Sequence, residues 1–197
     1  MPRFVDRDER RALIIRAVHR LITERGIEAA SLRNVAAESE LNIGSVRYYF
    51  PSHTELLLAA AEAMVQRVTT RIERHAEVFL QGPANPREAA VDLLEEFLPI
   101  DQERRDETIL WLTFAETSRR IPELRPMTKT MIAGPRQLAH GMLQHAQLST
   151  PTARAEALAA LIDGLALAML HDPEHYTRRR ARATLRWQLE AVMSAAQ

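Results

Sequence analysis

The stretch between Ser31 and Pro51 constrains the fold most, because it has room for only two very short helices. The Ser31 hydroxyl can cap the free amides of a helix over residues 32–38. Residues 41–44 break that helix, and residues 45–50 form about two turns before Pro51, which disfavours helix in the residue ahead of it. Two short helices joined by so short a connection predict a helix-turn-helix.

The rest of the chain also has helical periodicity. Apolar residues recur every three or four positions over residues 6–25, and Gly26 suits the left-handed residue that ends a helix. A long helix is predicted from His53 to Phe79, followed by a linker at residues 81–86 that contains glycine and two prolines. Further helices are predicted at 86–98, 102–120, 122–147, 151–171 and 174–196. Because no segment shows the alternation of a strand, we expect an all-α fold.

Composition excludes several classes of protein. The chain has no cysteine, so disulfides and thiolate metal sites are ruled out and a reducing compartment suits it. No stretch approaches the roughly eighteen apolar residues of a membrane span, and the charged N-terminus lacks a secretory signal. We therefore expect a cytoplasmic protein without a membrane partner. Since 26 basic residues balance 26 acidic ones, any binding to nucleic acid must be local.

The helix-turn-helix carries residues that suit contact with DNA. Arg33, in the first turn of the supporting helix, can reach a guanine edge or a phosphate, although a solvated arginine is the simpler alternative. Gly44 and Ser45 open the second helix, where small side chains allow the backbone to approach the major groove. They serve equally well as a turn glycine and a helix cap, and both interpretations are compatible.

Arg47 projects from the middle of the second helix and is our first choice for direct base readout, with phosphate contact as the alternative. Tyr48 and Tyr49 bring hydroxyls within reach of the DNA backbone, although one of them can instead belong to the core. His53 begins the long helix, where an imidazole can add a hydrogen bond to phosphate. An exposed histidine without that role is the alternative.

Two apolar stripes in the C-terminal part predict self-association. The stripe on the helix over 151–171 includes Leu158, Leu161, Ile162, Leu165 and Met169, and the stripe on the last helix includes Leu185, Leu189, Val192 and Met193. Two helices from each subunit would form a four-helix interface. The alternative is packing within one subunit.

Five residues are candidates for lining a ligand pocket, because aromatic and methionine side chains form adaptable walls and a histidine orients a ligand. They are Trp111, Phe114, Met131, Met142 and His145. Ordinary core packing is the alternative for each of them. The arginines at 178–180 and 182 resemble a nucleic-acid patch, but a solvated face or ion pairing fits them better.

Catalytic and metal motifs are missing from the sequence. It contains neither a glycine-rich phosphate loop, nor a GxSxG elbow, nor an HExxH helix. His171 and His175 have the spacing of metal ligands on a helix, but Pro173 interrupts the helix that would align them. We expect no enzymatic activity, no cofactor and no bound metal.

Residues 10–58 resemble the DNA-binding domain of the TetR family of repressors. The resemblance rests on the first helix, Gly26, Ser31-Leu32-Arg33, Val35-Ala36, Leu41-Asn42, Gly44-Ser45, Phe50-Pro51-Ser52 and Leu56, all in register. It implies DNA contacts at Ser31, Arg33, Ile43, Gly44, Ser45, Arg47, Tyr48, Tyr49 and His53. Arg47 replaces the usual tyrosine of the family, and His53 replaces a lysine that meets phosphate.

The C-terminal part resembles the ligand-binding and dimerisation domain of the choline-responsive, BetI-like branch, through residues 111–114, 120–122 and 161–165. The resemblance implies a helix-turn-helix DNA-binding domain over residues 1–52 and a helical ligand-binding and dimerisation domain over 53–197, joined by the long helix. It further implies a homodimeric repressor that binds a palindromic operator in double-stranded DNA and is released by a small-molecule effector. The alternative is a helical small-molecule carrier or partner-binding protein with a vestigial DNA-binding domain.

Overall fold

The computed structural model describes residues 7–148 and 151–194, with side chains given up to residue 148 and from 152 to 192. Within these residues there are nine α-helices, two short 3-10 turns and no strand, which confirms the all-α fold. The helices are α1 (Arg7–Arg25), α2 (Leu32–Glu38), α3 (Ile43–Tyr49), α4 (His53–Leu80), α5 (Pro86–Glu95), α6 (Gln102–Thr117), α7 (Arg125–His145), α8 (Pro151–His171) and α9 (Arg178–Ser194). No helix among the described residues is long and apolar enough to cross a membrane.

The chain divides into two compact units. Unit 1 comprises Met1–Gln66 and Ile109–Lys129, and unit 2 comprises Arg67–Thr108 and Thr130–Gln197. This division differs from the boundary predicted between residues 52 and 53, since α4, α6 and α7 each contribute residues to both units. A helix boundary is visible in the sequence pattern, whereas the tertiary contacts that define a unit are not.

Unit 1 holds the helix-turn-helix on an apolar core. Helix α1 packs on α2, and α2 packs on α3. The core side chains of these helices and of the start of α4 include Ile14, Val18, Leu21, Val35, Val46, Leu56 and Leu57. The buried His19 lies between α1 and α4, with its Nε2 atom 2.8 Å from the carbonyl oxygen of Ala60. These contacts fix the two short helices, which at this length are not stable alone.

Helix α1 ends before Gly26 as predicted, but the glycine has the positive φ without the left-handed helical ψ that was expected. Gly26 has a φ of 81°, in the region that favours glycine, and its N–H donates to the carbonyl oxygen of Ile22 at 2.9 Å. Its ψ of 171° is extended rather than left-handed helical, so the chain leaves α1 toward a 3-10 turn at Ile27–Ala29.

Unit 2 has an apolar core of its own. Helix α9 packs on both α5 and α8. The core side chains include Val91, Leu94, Leu98, Leu143, Leu158, Ile162, Leu165, Met169, Leu185, Leu189 and Val192. Helix α9 begins at Arg178, later than predicted, because Asp172 caps a turn at residues 172–176 and Thr177 then caps the helix.

Arg71 on α4 lies at the centre of a buried group of ion pairs in unit 2. Its Nε atom is 2.5 Å from Glu96 Oε2, and its Nη2 atom is 2.6 Å from Glu107 Oε2. Arg104 adds a contact of 2.7 Å to Glu96 Oε1. Burial opposes the charge of Arg71, but the hydrogen bonds and charges of Glu107 and Glu96 outweigh burial and raise its pKa. We call Arg71, Glu96, Glu107 and Arg104 the buried ion network.

A second set of ion pairs joins α5 to α9. It consists of Glu88, Asp92 and Glu95 on α5 with Arg178, Arg182 and Arg186 on α9. Arg182 is central, since its Nη1 atom is 2.6 Å from both Asp92 Oδ1 and Glu95 Oε2. Burial raises the pKa of Glu95, but the hydrogen bonds from Arg178 and Arg182 outweigh it and lower the pKa overall. Of the four arginines predicted to be solvated or ion-paired, Arg178 and Arg182 form ion pairs, while Arg179 and Arg180 are exposed.

Candidate DNA interface and effector residues

Unit 1 presents most of the predicted DNA contacts at its surface. Tyr48 is 69% exposed and Ile43 is 41% exposed, which is unusual for such apolar side chains. Arg33, Gly44, Arg47 and His53 are also exposed, while Ser31, Ser45 and Tyr49 are half-buried. By contrast, Val46 and Phe50 are buried, so they pack the motif rather than present side chains to DNA.

Helix α3 begins earlier than predicted. Its first residue is Ile43, and the cap is Asn42, whose Oδ1 atom accepts a hydrogen bond from the Ser45 N–H at 2.7 Å. The prediction that Gly44 and Ser45 open the helix is therefore wrong, because they are its second and third residues. Gly44 has a structural role here, because a Cβ atom at this position would lie 3.2 Å from Asn42 Oδ1 and crowd the cap.

The cap of α2 is the predicted one. Ser31 Oγ accepts from the Asn34 N–H at 3.2 Å, and the Asn34 side chain donates in turn to the carbonyl oxygen of Ala29 at 3.0 Å. The start of α2 is thus fixed from both sides, and Arg33 lies exposed on its first turn. The Ser31 hydroxyl hydrogen is left to donate to a further acceptor.

Ser52 caps the first turn of α4 next to His53. Ser52 Oγ accepts from the Glu55 N–H at 3.1 Å and lies 3.2 Å from Glu55 Oε1, to which it donates. His53 follows the cap directly and is exposed. Its imidazole is therefore held at the surface by a rigid helix start.

Two arginines of α1 that the sequence analysis did not single out lie against the end of α3. The Arg7 Cζ atom is 5.9 Å from the centroid of the Tyr48 ring, and the Arg11 Cζ atom is 5.5 Å from the centroid of the Phe50 ring. Tyr48 also meets Tyr49 edge to face, with 5.2 Å between ring centroids. The signal in the sequence was the spacing of the two arginines, which puts them on one face of α1.

The five predicted pocket residues have different environments. Phe114 is fully buried and Met142 is 7% exposed, so both are core side chains. Met131 is half-buried, and His145 is exposed, with its ring 5.8 Å from that of Phe79. Trp111 is half-buried, and its Nε1 atom is buried without a hydrogen-bond partner among the described residues. Trp111 and Phe114 belong to unit 1, and the other three residues belong to unit 2.

Most side chains of the two predicted dimerisation stripes are buried within unit 2 and are not exposed to a partner subunit. Seven of the nine predicted positions are buried in the core of unit 2, and Leu161 is half-buried against it; the seven are Leu158, Ile162, Leu165, Met169, Leu185, Leu189 and Val192. Packing within one subunit, the alternative interpretation, accounts for them, because α5 and α9 cover these faces. The Met193 side chain lies outside the described residues. The large apolar side chains exposed on α8 and α9 are Leu167 and Trp187, at 40% and 67%.

Asp163 on α8 is a half-buried carboxylate on a largely apolar helix. Burial raises its pKa, and no cationic side chain among the described residues offsets that effect. Such a group binds a cation more readily than a fully hydrated carboxylate, because less water must be displaced.

Comparison with known proteins gives two matching family models. The model for bacterial regulatory proteins of the tetR family matches residues 14–60, and the model for the C-terminal part of BetI-type transcriptional repressors matches residues 86–194. The HTH-type transcriptional regulator PksA of Bacillus subtilis (strain 168) is 33% identical over 197 residues, which cover 98% of this chain and 94% of PksA.

Solved structures agree with this comparison. A transcriptional regulator from Saccharomonospora viridis in complex with choline superimposes with a TM-score of 0.81 at 27% identity, over 93% of this chain and 97% of that one. The multidrug binding protein EbrR in complex with ethidium gives a TM-score of 0.67 at 28% identity, over 91% of this chain and 98% of that one.

Proposed function

Since this chain belongs to the TetR family of bacterial regulatory proteins, we propose that it is a transcriptional repressor that binds a palindromic operator as a homodimer and is released by a small-molecule effector. The carrying observation is the surface of α3. Arg47 and Tyr48 are exposed there on a helix whose other side, at Val46, is fully buried. A rigid helix with exposed donors and one buried anchor is what major-groove recognition requires.

The proposed DNA contacts follow the division between exposed and buried residues. Arg47 reads a base edge in the major groove, and Arg33 reaches a base or phosphate from the supporting helix. Tyr48, Tyr49 and His53 bind the phosphate backbone. The remaining contacts are assigned to Ser31, Ile43, Gly44 and Ser45. Two such surfaces in a homodimer would read half-sites about 34–36 Å apart, or a multiple of that spacing.

We assign the effector to the C-terminal part of the chain, which includes Trp111. The buried Trp111 Nε1–H has no acceptor among the described residues, and leaving such a donor unpaired costs about 1–3 kcal/mol. An effector with a hydrogen-bond acceptor would remove that cost. The choline and ethidium of the two related complexes are both organic cations, and we propose the same class of ligand here.

Binding to DNA is the first test. The purified protein should protect a palindromic segment in DNA fragments from upstream of its own gene and should select the same segment from fragments of the whole genome. Light scattering at micromolar concentration should give about twice 22.4 kDa without DNA. A monomer, or a protein that selects no genomic fragment, would contradict the proposal and favour a helical carrier that works in the cytoplasm without reading DNA.

Release by an effector is the second test. Choline and ethidium serve as probes, and each is added to the complex of protein and protected fragment while the bound fraction is measured. The matched variants are Trp111→Ala and Leu112→Ala, since the two residues are neighbours on α6 and both are half-buried. Trp111→Ala should weaken release while operator affinity stays within a few fold. An equal loss of release in both variants would contradict a role for Trp111 in the effector site.

A further inference from the structure

We propose that Arg7 and Arg11 of α1 form a second phosphate-binding element beside α3, and that Arg7 also positions the exposed ring of Tyr48. We call these two residues the α1 arginine pair. The inference rests on the proposed DNA-binding function and adds to it two residues outside the helix-turn-helix.

The α1 arginine pair lies on one face of one helix. Arg7 and Arg11 are four residues apart, which places them about one turn and 6 Å apart on α1. Each guanidinium carbon lies within 6 Å of an aromatic centroid at the end of α3, Arg7 over Tyr48 and Arg11 over Phe50. The acidic residues Asp8 and Glu9 of the same turn point about 100° and 200° away from Arg7 around the helix.

A cation–π contact does not use the guanidinium N–H groups as hydrogen-bond donors. The Cζ atoms of Arg7 and Arg11 lie 5.9 and 5.5 Å from their ring centroids, and a guanidinium has five N–H donors to offer. Arg7 and Arg11 are both exposed, and neither forms an ion pair with an acidic side chain in the described part of the chain. Arg20, further along α1, is different, because its Nη1 atom is 2.8 Å from Glu38 Oε1. The α1 arginine pair therefore has free positive charge beside the helix assigned to the major groove.

Tyr48 needs support from outside its own helix. The side chain is 69% exposed, and its ring meets that of Tyr49 in a T-shaped arrangement with 5.2 Å between ring centroids. A ring this exposed samples several rotamers, and ordering it on the DNA costs conformational entropy. The Arg7 guanidinium over its face restricts the ring before binding. Arg7 is thus a positioning residue for Tyr48 as well as a phosphate ligand.

The phosphate role is tested by salt dependence. Binding of the full-length protein to a random-sequence duplex of about three helical turns is measured over a range of salt concentrations. Arg7→Ala and Arg11→Ala should each lower the slope of log affinity against log salt by about 0.9 for each lost contact, and so by about two in a dimer. Arg16→Ala is the matched control, since Arg16 is exposed on the opposite side of α1 and should keep the wild-type slope. Wild-type slopes in both Arg7→Ala and Arg11→Ala would overturn the phosphate role.

The positioning role is tested by a double-mutant cycle. Arg7→Ala should reduce affinity for the operator by a larger factor in the wild-type background than in the Tyr48→Leu background, because the ring it supports is missing in the latter. Equal factors in both backgrounds would overturn the positioning role. Circular dichroism and urea unfolding check that each variant is folded. A wild-type protein that binds no duplex would contradict the proposed function itself, whereas normal wild-type binding with unaffected variants would contradict only the α1 arginine pair.

Discussion

The caps of the helix-turn-helix in unit 1 and the ion pairs of unit 2 span very different distances along the chain. In unit 1 the caps of α2 and α3 are formed by Ser31 and Asn42, each bonded to a residue three positions ahead. In unit 2 Arg71 reaches Glu107 across 36 positions, and Arg178 reaches Glu95 across 83. Local bonds of the first kind form as soon as a helix starts, whereas pairs of the second kind exist only in the finished fold. The contrast implies that unit 2 loses most stability when one partner is removed.

The largest effect is expected in the buried ion network. Arg71→Ala leaves Glu96 and Glu107 buried with one cation fewer, and breaking a buried pair costs about 3–5 kcal/mol. Urea unfolding at fixed protein concentration measures the loss. The control is Arg136→Ala, whose pair with Glu156 is about half exposed on both sides and contributes about 0–1 kcal/mol. Equal losses in the two variants would remove the distinction between buried and exposed pairs.

The next largest loss of stability is expected at the apolar stripe of α9, which the sequence predicted to be part of a dimer interface. Leu185 is fully buried in the core of unit 2, so Leu185→Ala should lower the free energy of unfolding by about 2–5 kcal/mol. The exposed Glu190 on the same helix provides the control, and Glu190→Ala should stay within about 0.5 kcal/mol of the wild type. A Leu185→Ala protein of normal stability that no longer forms dimers would restore the original dimer interpretation.

In unit 1, the removal of an exposed arginine should affect DNA binding more than the stability of the fold. Arg47 is exposed, so Arg47→Ala should leave urea unfolding unchanged. If Arg47 reads guanine, operator affinity falls by about 1–3 kcal/mol, with base preference lost at one symmetric position in each half-site. Binding to operator variants at several salt concentrations measures both quantities. Uniform weakening on all sequences, with unchanged base preference, would assign Arg47 to phosphate instead.

The local caps provide a smaller stability effect. Asn42→Ala removes the acceptor for the Ser45 N–H and should destabilise the protein by about 1 kcal/mol. Asn42→Ser is the matched variant, since a serine can cap the same amide. The measurement is again the free energy of unfolding in urea. If both variants behave like the wild type, the cap does not stabilise α3 and the contrast between the units weakens.

The smallest effect is a pH dependence at the exposed end of the α5–α9 pairs. The hydrogen bond from Arg186 lowers the pKa of Glu88 from 4.5 to about 2. Desolvation opposes this shift, and a second hydrogen bond, from Arg182, adds to it. A lowered pKa in the folded state contributes stability that is present above pH 4.5 and is lost as pH falls toward 2. Glu88→Gln should therefore lose less stability than the wild type over that window. Urea unfolding at a series of pH values measures this difference. If the free energy of unfolding falls in parallel for the two proteins as the pH is lowered, Glu88 does not make this contribution.

The same contrast explains what the sequence predicts. The Ser31 cap, the end of α1 at Gly26 and the exposure of Arg47 all depend on neighbours within a few residues, and each was predicted from a local pattern. The start of α3 was misplaced because Asn42 and Ser45 are both good capping residues, and only the fold selects between them.

In unit 2 the sequence predicted the helices but not their surroundings. The apolar stripe at Leu158 and Leu185 has the same periodicity whether a neighbouring helix comes from the same chain or from a partner. The choice depends on α5, whose ion pairs with Arg182 hold it against α9. Phe114 was likewise indistinguishable from a pocket residue until its full burial was known. Periodicity specifies which side of a helix is covered, and tertiary contacts specify what covers it.

The two tryptophans have a spectroscopic consequence. Trp187 is 67% exposed on α9, whereas the Trp111 indole has its nitrogen buried in unit 1. Their fluorescence should therefore differ, with red-shifted, iodide-quenchable emission from Trp187 when its side chain is in water. A second copy that covers α9 would shift this emission to the blue, and dilution would reverse the shift. Trp187→Phe would leave Trp111 as the single tryptophan, so that titrations with unlabelled choline could be followed through its emission under excitation selective for tryptophan.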